Sequence, residues 1–111
     1  MKDIIEKIVS SLKDNPYSWT IKRNTDEQIL YHTKSGIGIK RIGISFCYVP
    51  APPLVYLFIH NPANTLVYIN GNDEELAKTA SDAMTICFKV LEKKLENEVV
   101  EELKYKLRNL E

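Results

Sequence analysis

Near the start of the chain, apolar residues recur at Ile4, Ile5, Ile8, Val9 and Leu12. That spacing gathers them on one side of a helix, which the pattern predicts over residues 2–13. Asp14-Asn15-Pro16 ends it, because the residue before a proline is pushed out of the helical region. The pattern then changes to alternation. Trp19 and Ile21 fall on one face of a predicted strand over 17–23, with Ser18, Thr20 and Lys22 on the other. Asn24-Thr25-Asp26 is a turn signal, and 27–33 is expected to return as its hairpin partner. After Lys34-Ser35-Gly36, a long apolar stretch over 37–49 alternates Ile42, Ile44, Phe46 and Tyr48, with Gly38 and Gly43 marking a bulge, a bend or a division into two strands.

Pro50-Ala51-Pro52-Pro53 cannot join a ladder and reads as a connection. Its minimal PxxP spacing is also that of an SH3-type ligand, although a short link between two apolar strands is the simpler reading. Residues 54–60 are apolar on both faces, with Leu54, Tyr56 and Phe58 alternating against Val55, Leu57 and Ile59. Asn61-Pro62-Ala63-Asn64 turns the chain, and 65–70 completes the sheet. Short connections throughout imply an antiparallel meander. The expected fold class is α+β, in the order α-β-β-β-β-β-α: about five antiparallel strands flanked by an N-terminal helix and a long C-terminal helix.

The last segment, 73–111, contains neither Pro nor Gly and reads as one helix capped by Asn72 or Asp73. Its length would be about 57 Å at 1.5 Å per residue. A domain of this size is only about 30–35 Å across. The helix must either overhang its own domain or break, and Glu96-Asn97-Glu98 is where a break would fall. Leu76, Ala80, Ala83, Met84 and Cys87 suit packing on the sheet. Leu95, Val99, Leu103, Leu107 and Leu110 continue the apolar series beyond it. From Leu91 to Leu107 the step is four residues, which advances about 40° per step around a helix. The stripe drifts too far for a sustained left-handed zipper, so two halves facing different neighbours fit better. The expectation is a single domain over 1–111 in which 92–111 serves association.

Composition changes this picture little. The chain has 111 residues, 44% hydrophobic, with fifteen basic and fifteen acidic side chains. Neutrality argues against general nucleic-acid affinity. No stretch is apolar enough to span a membrane, and the acid-containing start does not read as a signal peptide, so a cytoplasmic location is expected. Cys47 and Cys87 are then expected to be reduced and buried.

Candidate chemistry is sparse. No catalytic constellation, metal site or cofactor motif stands out. His32 and His60 sit near predicted strand ends, too few for a zinc site. Lys34, Lys40 and Arg41 surround a glycine-containing turn and form the best anion-binding candidate, but the turn feeds a strand where a phosphate loop would feed a helix. Together with Lys22 and Arg23, and with Trp19, Tyr31 and Tyr48, they allow a single-stranded nucleic-acid surface built on stacking and charge. Tyr48, Tyr56, Phe58 and Tyr68 are candidates for a shared sheet face that binds a ligand or a second subunit. The leading functional expectation is a non-catalytic assembly protein, homodimeric through the C-terminal helix and an apolar sheet face. A heterologous protein partner, a small-molecule or enzymatic pocket and a nucleic-acid surface are the alternatives.

Overall fold

A computed structural model describes residues 2–24, 27–42, 54–60, 66–71 and 73–110. Helix α1 spans Lys2–Asp14 and buries Ile5, Ile8, Val9 and Leu12. A single 3₁₀ turn, Pro16–Ser18, follows. Strands β1 (Trp19–Asn24), β2 (Glu27–His32), β3 (Ile37–Ile42), β4 (Leu54–Ile59) and β5 (Leu66–Tyr68) form one sheet in that order. Helix α2 spans Glu74–Leu107. Every neighbouring pair of strands is antiparallel. The chain is therefore an α+β meander with a helix at each end.

The differences from expectation have local causes. Tyr17 and Ser18 belong to the 3₁₀ turn and not to β1, because Pro16 sets a helical φ and its carbonyl accepts the Trp19 N–H. The outer part of the expected long third strand, with Phe46, Cys47 and Tyr48, and the proline connection at 50–53 lie outside the described residues. β5 is shorter than its apolar run. Beyond Tyr68 the Ile69 N–H still donates to the Val55 carbonyl (2.9 Å). The Asn70 Oδ1 accepts the Val55 N–H (2.9 Å), so a side chain replaces a ladder carbonyl there.

Register places Trp19, Ile21, Leu30, Ile37, Ile39, Val55 and Leu57 on one face. Both helices cover it, α1 packing mainly along α2. Ala77, Ala80 and Ala83 let α2 approach, and Met84, Cys87, Phe88 and Leu91 fill the space behind them. Trp19 closes one end: its Nε1–H donates to Ser11 Oγ (3.0 Å) on α1, and its ring meets His32 at 5.1 Å.

Asp73 caps α2, its carboxylate accepting the Leu76 N–H (3.1 Å), with Glu74 and Glu75 placed favourably in the first turn. Arg41 ties the sheet to this helix. Its Nε–H donates to Gln28 Oε1 (2.9 Å). Its Nη1 donates toward Ser81 O (2.9 Å), Ser81 Oγ (3.1 Å) and Thr85 Oγ1 (2.6 Å). Burial pushes the guanidinium down from its ordinary value, partly opposed by Asp82.

The opposite face is assembled from cross-strand pairs. Gly38 has no side chain, and the ring of Phe58, its β4 neighbour, lies in the space left open. Phe58 in turn stacks on Tyr31 at 6.4 Å.

Two outcomes follow. Arg41→Met should lower unfolding stability by about 1–3 kcal/mol, because Gln28 and Ser81 lose a charged partner; urea denaturation measures it. Gly38→Ala should also destabilise, since a Cβ there would overlap the Phe58 ring. Its near-ultraviolet circular dichroism should change with the displaced aromatic pair.

Candidate functional site

Helix α2 changes character along its length. Up to Leu91 it contributes eight buried residues. From 92 to 110 every residue is exposed, although the helix runs without a break through Asn97 to Leu107. Thirty-four residues measure about 51 Å, and the molecule's longest dimension is 59 Å, so the far half of α2 projects from the body. The projecting half keeps its apolar series. Leu95, Val99, Leu103 and Leu107 are 51–55% exposed, and Leu110 reaches 78%. Val100 adjoins them.

Charge along this half is arranged in blocks. Glu96, Glu98, Glu101 and Glu102 are followed by Lys104, Lys106 and Arg108. Within the helix Lys94 reaches Glu98 (4.0 Å), Lys104 reaches Glu101 (3.4 Å) and Lys106 reaches Glu102 (3.1 Å). All are solvent-exposed pairs one turn apart, each worth a few tenths of a kcal/mol. They support helicity without hiding the charge. Where α2 leaves the body, Tyr17, Trp19 and Ile21 face Leu91 and Leu95 across a notch of about 300 Å³. Lys94 lies over the Tyr17 ring at 5.0 Å.

The aromatic sheet-face candidates divide. Tyr56 and Tyr68 are together, their rings 5.2 Å apart on the face away from the helices. Phe58 shares that face but is only 3% exposed. Tyr48 lies outside the described residues. Lys40 is also on this face and 7% exposed, paired with Glu27 Oε1 at 2.8 Å.

The anion-binding candidates do not converge. Adjacent strand residues point to opposite faces, so Lys40 and Arg41 are separated by the sheet itself. Each is committed to the partners already named. Lys34 is exposed in the turn before β3.

The two histidines bracket that same turn. Ser35 donates both its N–H (3.2 Å) and its hydroxyl (2.7 Å) to His32 Nδ1, and its Oγ accepts the Ile37 N–H (3.2 Å). His60, with φ of 62°, donates its N–H to the Gly36 carbonyl (2.7 Å). The Ser35 bonds close the turn itself, and the His60 bond ties the end of β4 to it. A cleft of about 280 Å³ beside it is lined by Ile4, Ile8, Trp19, His32, Ser35 and Ile37. It is small for a ligand site, and its serines are already bonded. Among the described residues, no three His, Cys, Asp or Glu side chains gather as a metal would require. No described helix is long and apolar enough to cross a membrane.

Sequence reasoning named the helix stripe directly, because its apolar spacing outlasts the domain. It missed the Arg41–Gln28–Ser81–Thr85 cluster, since only register brings residues so far apart in the chain together.

Cys87 is fully buried, and burial raises its thiol to about 11. Raised above the unfolded value, it leaves stability intact below about pH 9 and weakens the fold as pH climbs from there towards 11. In the native protein Cys87 should resist alkylation at pH 8 and react at a rate set by unfolding, which mass spectrometry of labelled peptides checks. No family model, curated protein or solved structure matches the chain, so its function rests on its own geometry.

Proposed function

We propose that the chain is a non-catalytic assembly protein that works as a homodimer, joined through the projecting end of α2 and the residues that follow it to Leu110. One observation carries this reading: the helix passes from buried to exposed on every side at Leu91, yet its leucines continue. Scattered exposed apolar residues are ordinary on protein surfaces. A file of five on a projecting rod forms a continuous apolar strip.

Magnitudes set the kind of complex. Each of the five side chains is at least half exposed. Pairing therefore recovers roughly half of the about 1.5–3 kcal/mol that full burial provides, or about 8–15 kcal/mol over two copies. Association itself costs about 4–15 kcal/mol. The two are of similar size, which suits a reversible dimer that depends on concentration. A second copy suits the rod because its charge blocks are of opposite sign and lie next to each other. A reducing, cytoplasmic setting suits the buried thiol of Cys87.

Sedimentation equilibrium in the micromolar range should give a dimer. Leu103→Glu keeps helix propensity but places a charge in the stripe. It should weaken the dimer at least tenfold, about 1.4 kcal/mol, with the helical circular-dichroism signal retained. A wild-type chain that stays monomeric, or a variant that associates unchanged, would overturn the proposal.

A further inference from the structure

The geometry points to an antiparallel pairing of the two α2 extensions, with Leu103 of each copy at the twofold axis. This rests on the homodimer reading and adds its orientation, register and contacts.

Charge decides the orientation. In a parallel pair, Glu96, Glu98, Glu101 and Glu102 of one copy would lie beside the same four residues of the other, and Lys104, Lys106 and Arg108 beside theirs. The acidic block would lie level with the acidic block and the basic with the basic, which disfavours that pairing. In an antiparallel pair centred on Leu103, the acidic block of each copy lies beside the basic block of the other, and the twofold makes the match twice. At that register Glu102 lies level with Lys104 of the other copy, Val100 with Lys106 and Glu98 with Arg108.

The apolar series fits the same centre. Leu103 meets Leu103, and Val99 meets Leu107 in both directions. Leu110, the most exposed of the series, comes to the level of Glu96 and Leu95. There the notch between Tyr17, Trp19, Ile21, Leu91 and Leu95 is open to receive it. The leucine at the tip of one rod thus packs where the other rod leaves its body. Stepping by four residues, the stripe drifts around the helix, so the two rods cross obliquely.

A Val99→Cys/Leu107→Cys chain tests this under mild oxidation, with peptide mapping of the linked species. The antiparallel register brings position 99 of one copy to position 107 of the other. It holds the two copies of position 99 about 12 Å apart along the axis, beyond disulfide reach. Within one chain, 99 and 107 are equally far apart along the helix. The expected product is a covalent dimer linked 99 to 107. A dimer linked 99 to 99 and 107 to 107, or one in which none of these positions is linked, overturns the orientation while leaving association intact. A wild-type chain that sediments as a monomer removes the homodimer reading itself, and this pairing with it. If the double variant alone fails to associate, salt decides on the wild-type chain. Complementary blocks require the dimer to weaken several-fold as salt rises, and tightening overturns the pairing.

Discussion

A six-residue strand is about 20 Å long, while α2 is about two and a half times that. A helix cannot bend around a sheet that small without a proline, a glycine pair or a bulge, and α2 contains no Pro or Gly. Its first five turns are therefore occupied by the sheet and α1, and the remainder has nothing of the described body to lie against. Most other features follow from this mismatch. The alanines at 77, 80 and 83 bring the helix close where it is held, Phe88 and Leu91 mark the end of the contact, and the charged residues from Glu92 onward keep the rest in water.

The body itself is fastened in two chemically different ways. On the helix-covered face, apolar burial dominates, and the half-buried Arg41 is the polar exception. Its hydrogen bonds span Gln28 on β2 and Ser81 and Thr85 on α2. Packing of alanines against a sheet is smooth and leaves the sliding position of a helix poorly determined. A guanidinium with partners on both sides fixes it, because a shift of one turn would leave several polar groups unpaired. On the other face, Phe58 over Gly38 and Lys40 against Glu27 pin neighbouring strands to each other.

Elements with a clear period were legible from residue order. The face of α1 that carries Ile5, Ile8, Val9 and Leu12, the alternation of β4 and the uninterrupted α2 all follow from spacing alone. Tyr17 and Ser18 were misread because alternation over a few residues does not reveal that Pro16 has already set a helical turn. The end of β5 was misread because Asn70 supplies its hydrogen bond from a side chain, which no apolar pattern records. Lys40 and Arg41 looked like one basic cluster because they are adjacent in sequence, and adjacency in a strand means opposite faces. The leucine stripe was legible for the opposite reason: it needs no register, only the count of residues past the end of a small domain.

An isolated helix of sixteen residues with several acidic neighbours is marginal in water, since nucleating its first turn is costly. Residues 92–107 avoid that cost because the turns before them are already wound onto the body at Met84, Phe88 and Leu91. The projecting rod thus borrows its order from the core beneath it. Damage to the core at Phe88 would reach the far leucines as lost helicity before any of them was touched. A partner gripping those leucines would return the favour, holding the core's own helix wound at temperatures where it would otherwise begin to fray.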